Sequence, residues 1–147
     1  MIIVIADTSG LVAALDSAHP EHLAVNEAIT AAGLLVMSPL PPAELDHVAT
    51  RELGREAAVS AVDDLRRWMS RGRVVLPEIT QDHLGAAQSV RVRCRALDLD
   101  LAHAVNVALA VDYDTDAILT LDRRDCRAVR PLGRHKAFRV LPDDLPL

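Results

Sequence analysis

Apolar residues in this chain fall into short unbroken blocks and longer stretches with helical spacing. The first block, IIVIA at 2–6, is rich in β-branched residues, which favour a strand. Its lack of alternation suits a central parallel strand covered on both faces. The block stops at Asp7, and Thr8-Ser9 offers a cap for a helix that the next apolar stretch begins. Further blocks lie at 34–37 (LLVM), 73–76 (RVVL), 117–121 (AILTL) and 138–141 (FRVL). Between the blocks, the spacing predicts a helix over 20–32, with Pro20 in its first turn and Gly33 at its end. Another starts near Ala43, where Leu45, Val48, Ala49 and Leu53 share one face and Glu44 and His47 lie on a different one. Gly54 breaks it from a helix running through Ala57, Ala61, Leu65 and Trp68 to Gly72, and two more cover about 80–96 and 101–111. Strands alternating with helices predict an α/β fold, a three-layer α/β/α sandwich with a central parallel sheet. A single domain over 1–147 is expected.

Composition narrows the class. Half the residues are hydrophobic but only 2% are aromatic, so the core must be built from Leu, Val, Ile and Ala. No apolar stretch approaches a membrane span and no leader precedes a cleavage site, so a cytoplasmic protein without a membrane partner is expected. Cys94 and Cys126 lack metal-type spacing and read as reduced thiols. A net charge of −5 argues weakly against a nucleic-acid partner, but its distribution says something different. Residues 1–50 hold no Lys or Arg, whereas Arg123, Arg124, Arg127, Arg130, Arg134, Lys136 and Arg139 crowd the C-terminal region. Two readings stay open: an acidic metal pocket rimmed by phosphate-binding arginines, or an ordinary solvated surface.

The chemistry starts from two apolar blocks that both end in Asp, at Asp7 and Asp122. Parallel strands point the same way, which puts both carboxylates on one edge of the sheet. Glu44 follows a strand and a Pro-rich turn and belongs to that edge too, while spacing leaves the edge of Asp100 and His103 open. Asp7 taken alone would serve equally well as a turn residue. Carboxylates gathered at one edge repel each other and normally enclose a divalent cation, and oxygen ligands favour Mg²⁺ or Mn²⁺. Such a site hydrolyses phosphodiesters by activating water and stabilising charge on the attacked phosphate.

Other chemistries fit less well. The glycines form neither a P-loop nor a dinucleotide fingerprint. A haloacid-dehalogenase-like phosphatase needs an acid where Ser9 stands, and a receiver domain needs adjacent acids after the first strand. Glu44-x-x-His47 is half of a di-iron motif that requires two copies, so His47 reads as a structural or surface residue. His19 and His22, around a helix start, read as solvated.

Four segments in order, ADTSGLVAALD, PAELDHVATRELG, LDLAHAVNVALA and AILTLDRRD, resemble PIN-domain ribonucleases of the VapC type. These are the toxin halves of bacterial toxin–antitoxin pairs, and the likeness continues through RPLGRHKAFRVLPDD. The resemblance implies endonucleolytic cleavage of RNA dependent on Mg²⁺ (or Mn²⁺), a homodimer, and a small cognate VapB-like antitoxin. It makes Asp7, Glu44 and Asp122 acidic site residues, with Thr8, Ser9 and Thr120 as polar neighbours. Arg123 and Arg124, beside the last acid, are then expected to contact RNA phosphates.

One position departs from the pattern. Where the family carries its third acid, in a Leu-Ala-Asp-Ala-like stretch, this chain has Leu101-Ala102-His103-Ala104. His103 is therefore expected to point into the acidic pocket. Asp100 shares its helix face one turn earlier and has two readings, a further metal carboxylate or the helix N-cap, of which the cap is preferred. Neutral imidazole binds Mn²⁺ tolerably and Mg²⁺ poorly. Two functions follow: an active endoribonuclease, or a weakened or silent PIN domain that binds RNA or a protein partner.

Overall fold

The structure, a computed structural model, describes residues 1–147. Its sheet contains β1 (Ile3–Ala6), β2 (Leu34–Val36), β3 (Val74–Val75), β4 (Ala117–Leu119) and β5 (Arg139–Leu141). All pair in parallel, in the order β3-β2-β1-β4-β5. The chain thus builds outward from β1 in one direction through β2 and β3, then returns to lay β4 and β5 on its other side. The strand order reverses between β1 and β4, which is where open α/β sheets form a crevice.

Seven helices cover the sheet: α1 (Thr8–Leu15), α2 (His22–Ala31), α3 (Leu40–Leu53), α4 (Arg55–Ser70), α5 (Gln81–Arg93), α6 (Leu101–Asp112) and α7 (Arg123–Ala128). Side chains alternate across each strand, so the core divides into two layers. Val4, Ala6, Leu35 and Leu119 pack against Leu11, Val25, Leu45 and Leu65 of α1 to α4. Ile5, Val36, Ile118 and Val140 face the opposite way, against Val90 of α5 and Val105 and Leu109 of α6. Both faces of β1 and β4 are therefore buried, which explains their unbroken apolar runs, and each such Ile, Leu or Val contributes about 1.5–3 kcal/mol.

Element boundaries differ from the sequence reading in ways with clear causes. The helix expected from Ala43 begins at Leu40, because Pro41 and Pro42 fall in its first turn, where no backbone N–H is needed. Pro20 lies outside α2, which starts at His22. The helix expected over 80–96 is α5 followed by a 3-10 turn, Arg95–Leu97. Gly54 does separate α3 from α4, with φ of 95° that a side chain would resist. Gly10 matters through proximity instead: a Cβ there would stand 2.8 Å from Leu119 Cγ, so glycine lets α1 lie against β4. No helix is long and apolar enough to cross a membrane.

Candidate metal centre

The site is built by strand register. Ala6 stands opposite Leu119, and Asp7 N–H continues the ladder to Leu119 O at 2.9 Å. Asp7 therefore leaves β1 beside Thr120 at the end of β4, with Asp122 two residues on. Thr8-Ser9 do not cap α1, which already includes them. Asp7 takes the cap position without a side-chain cap bond, because its carboxylate is used elsewhere. Its Oδ2 accepts hydrogen bonds from Thr120 Oγ1 at 2.8 Å and Ser9 Oγ at 3.1 Å. Those hydroxyls in turn accept from backbone N–H groups, Thr120 from Asp122 at 3.1 Å and Ser9 from Leu121 at 2.9 Å. The turn after β4 is thus tied to a buried carboxylate of β1 through two hydroxyls.

His103 enters from α6. Its Nε2 lies 2.8 Å from Asp122 Oδ2 and 3.3 Å from Asp7 Oδ2, and its Nδ1 lies 2.7 Å from Asp100 Oδ1. With carboxylates at both ring nitrogens, the imidazole holds two protons. Its pKa is pushed up to about 10, first by the hydrogen bond to Asp7, against desolvation, and further by the charges of Asp7 and Asp100. Asp122 is the nearer acid but is half-exposed, so water screens it, whereas Asp7 is buried and acts at close to full strength. Burial pushes the Asp7 carboxyl up. The hydrogen bond and charge of His103, with the Thr120 hydroxyl, outweigh it and hold the group below the usual carboxylate range.

Asp7, His103 and Asp122 present ligand atoms within 4.8 Å of one another. Two hard oxygens and one imidazole, if it gives up its Nε2 proton, suit Mn²⁺ better than Mg²⁺. Asp100 is not part of this trio. It caps α6, accepting from His103 N–H at 2.9 Å, and braces the ring from behind. Glu44 also stands outside the trio, on the exposed face of the first turns of α3, and is linked to the site by the Thr8 hydroxyl, which donates to its Oε2 at 3.0 Å.

The two arginines differ. Arg124 is exposed at the start of α7. Arg123 is clasped between Glu21 and Asp143, with Nε 2.6 Å from Asp143 Oδ2 and Nη2 3.0 Å from Oδ1. Arg127 pairs with Asp144 in the same way, so α7 holds the segment after β5. No local signal in the sequence marks Glu21 or Asp143 as partners, since they lie far from Arg123 along the chain. His22 is also not simply solvated: its Nδ1 lies 2.8 Å from Ala13 O and ties α2 to α1. Arg123→Ala is expected to lower stability by about 1 kcal/mol, the value of a good partly exposed ion pair. That corresponds to a melting shift of roughly 3 °C. Arg124→Ala should leave the melting temperature unchanged, and equal melting of both variants would show that the clasp carries no weight.

A parallel sheet with acids gathered at its switch point defines a recognisable class of α/β protein. The chain matches the PIN domain family over residues 4–130. It is 36% identical over 140 residues to Ribonuclease VapC26 of Mycobacterium tuberculosis (strain ATCC 25618 / H37Rv), covering 95% of this chain and 100% of that one. This chain belongs to the PIN-domain family, as a member of its VapC type. Solved structures agree on the fold. Mycobacterium tuberculosis VapC20, a sarcin-ricin loop cleaving toxin, superposes with a TM-score of 0.74 at 18% identity, covering 85% of this chain and 94% of that one. VapBC2 from Rickettsia felis, bound to a DNA fragment from its promoter, gives 0.65 at 13% identity, covering 95% and 98%.

Proposed function

We propose that this chain is a metal-dependent endoribonuclease and the toxin half of a VapBC-type pair. The observation that carries this reading is the convergence of Asp7 and Asp122 at the switch point, on a chain 36% identical to a named ribonuclease. Asp7 and Asp122, and His103 once a metal displaces its Nε2 proton, would hold Mn²⁺ or Mg²⁺, with Glu44 brought in through Thr8 from the edge of α3. When bound, the metal supplies charge stabilisation at the phosphate and lowers the pKa of water. The protein's own part is orientation: Ser9 and Thr120 keep Asp7 aimed, Asp100 keeps His103 aimed, and Arg124 receives an RNA phosphate. Arg123, its charge taken up by Glu21 and Asp143, steadies the start of α7 next to Asp122.

The toxin assignment draws on the VapC26 likeness and on VapBC2, and brings with it a small antitoxin partner. A homodimer, a single domain over 1–147 and a cytoplasmic location complete the proposal. The test is cleavage of labelled RNA by the purified protein in Mn²⁺, in Mg²⁺ and in chelator. Cleavage in Mn²⁺ exceeding that in Mg²⁺, and none in chelator, is the expected result. Cleavage that survives chelator would remove the metal from the reaction.

A second reading has its own observation. A protonated His103 already sits between Asp7 and Asp122, where a cation would otherwise be needed. A silent domain would bind RNA with steep salt dependence and cleave it under none of these conditions.

A further inference from the structure

Against Asp7 and His103 lies a small cavity that leaves about 20 Å³ for the centre of a water molecule, enough for one. Its wall is mostly apolar, with Val107, Ile118 and Phe138 among the residues that form it, and Asp7, His103, Asn106, Thr120 and Asp125 bring polar groups to its margin. Asn106 follows His103 by three residues on α6, so the two share a helix face. It is the one residue of that helix's buried face with a side-chain amide, and it is only 2% exposed. Its Oδ1 has no hydrogen-bond partner in the protein. Buried carbonyl oxygens are almost always satisfied, and where the wall is largely apolar, as here, an internal water stays only if polar groups such as the orphaned Asn106 Oδ1 and Asp7 hold it.

Asp7 offers the second partner. Ser9, Thr120 and His103 all converge on its Oδ2, which leaves Oδ1 to other donors. We propose that Asn106 is a positioning residue of the metal centre, binding one internal water that it shares with Asp7 and so fixing that carboxylate. The water donates one hydrogen to Asn106 Oδ1 and the other to Asp7 Oδ1. The effect on metal binding rests on the function proposed above; the water and the orientation of Asp7 do not.

The test compares the wild-type protein with Asn106→Leu, which fills the cavity and removes the amide, and with Asn106→Ser, which keeps an acceptor and leaves more room for water. High-resolution crystal structures of the wild type and Asn106→Ser should show a water within hydrogen-bonding distance of residue 106 and Asp7. Asn106→Leu should lack the water and show Asp7 in a second rotamer, without loss of melting temperature. Mn²⁺ affinity, read from the free-ion electron paramagnetic resonance signal, should fall about tenfold or more in Asn106→Leu and recover in Asn106→Ser, as expected for a residue supporting a ligand. A dry cavity in the wild type would overturn the proposal. So would an Asn106→Leu protein with Asp7 unmoved and wild-type Mn²⁺ affinity. If the wild type binds no Mn²⁺ at all, the metal reading fails instead, and the crystallographic comparison still decides Asn106. Should Asn106→Leu not fold, the wild-type and Asn106→Ser crystals decide it.

Discussion

Replacing His103 with aspartate is expected to turn a partly neutralised pocket into a strong divalent-ion site. The change removes an imidazolium and adds a carboxylate, a swing of two charges beside Asp7 and Asp122. A unit charge about 4 Å away is worth roughly 4 kcal/mol at an effective dielectric of 20. A gain in Mg²⁺ affinity of at least about 100-fold is therefore a conservative expectation, since tenfold is about 1.4 kcal/mol. Without metal, the His103→Asp variant crowds its new carboxylate against Asp7, Asp100 and Asp122 with no cation among them. Its melting temperature should therefore drop, and then climb steeply with added Mg²⁺. RNA cleavage in Mg²⁺ should rise with occupancy. Calorimetric titration of Mg²⁺ reads the first effect and labelled RNA the second. If both stay at wild-type values, His103 does not face the metal position.

Asp7→Asn should have the opposite consequence. Asn retains an oxygen for the Ser9 and Thr120 hydroxyls, so the fold survives, but the buried negative charge is gone. Mn²⁺ affinity should fall by more than about 100-fold, since even a residue that only supports a ligand is worth 10–100-fold. Cleavage should become undetectable. The variant should also weaken a pH signature. In the wild type, His103 moves from an ordinary 6.5 to about 10 on folding. Its stabilisation is therefore complete below about 6.5 and disappears as pH rises through about 10. Asp7 has the reverse sign: depressed on folding, it stabilises above its ordinary 3.8 and that contribution is lost as pH falls through its folded value. Urea unfolding across alkaline pH should show the His103 loss in the wild type and a smaller one in Asp7→Asn, where Asp100 still faces the ring. Undiminished cleavage by Asp7→Asn would move the chemistry away from this pocket.

The parts of the molecule readable in the sequence are those set by burial on both faces. β1 and β4 announce themselves as IIVIA and AILTL because parallel strands between two helical layers have no polar side to interrupt them. Their terminal Asp residues follow from the same reading, and pairing of β1 with β4 brings them together. The first turn of α3 is obscured because Pro41-Pro42 carries a turn signal that helix starts also tolerate. Arg123 reads as a free cation because Glu21 and Asp143 meet it only through tertiary packing. Asn106 is hidden for a related reason: one amide in an apolar helix has no period, and only the cavity beside it gives it meaning.

The two edges of the sheet carry different obligations. Asp7, Thr120 and Asp122 all lie beyond the carboxyl ends of strands, whereas the turn through Gly72 and the segment through Asp114 precede β3 and β4 at the other edge. Gly72 is exposed, with a φ of 71° and open space around it. Exposed turns of this kind are where chains tolerate insertion and new termini. A fluorescent reporter or affinity handle spliced in at Gly72 would sit across the sheet from the acids, so the protein can be labelled or tethered without obstructing the proposed metal centre.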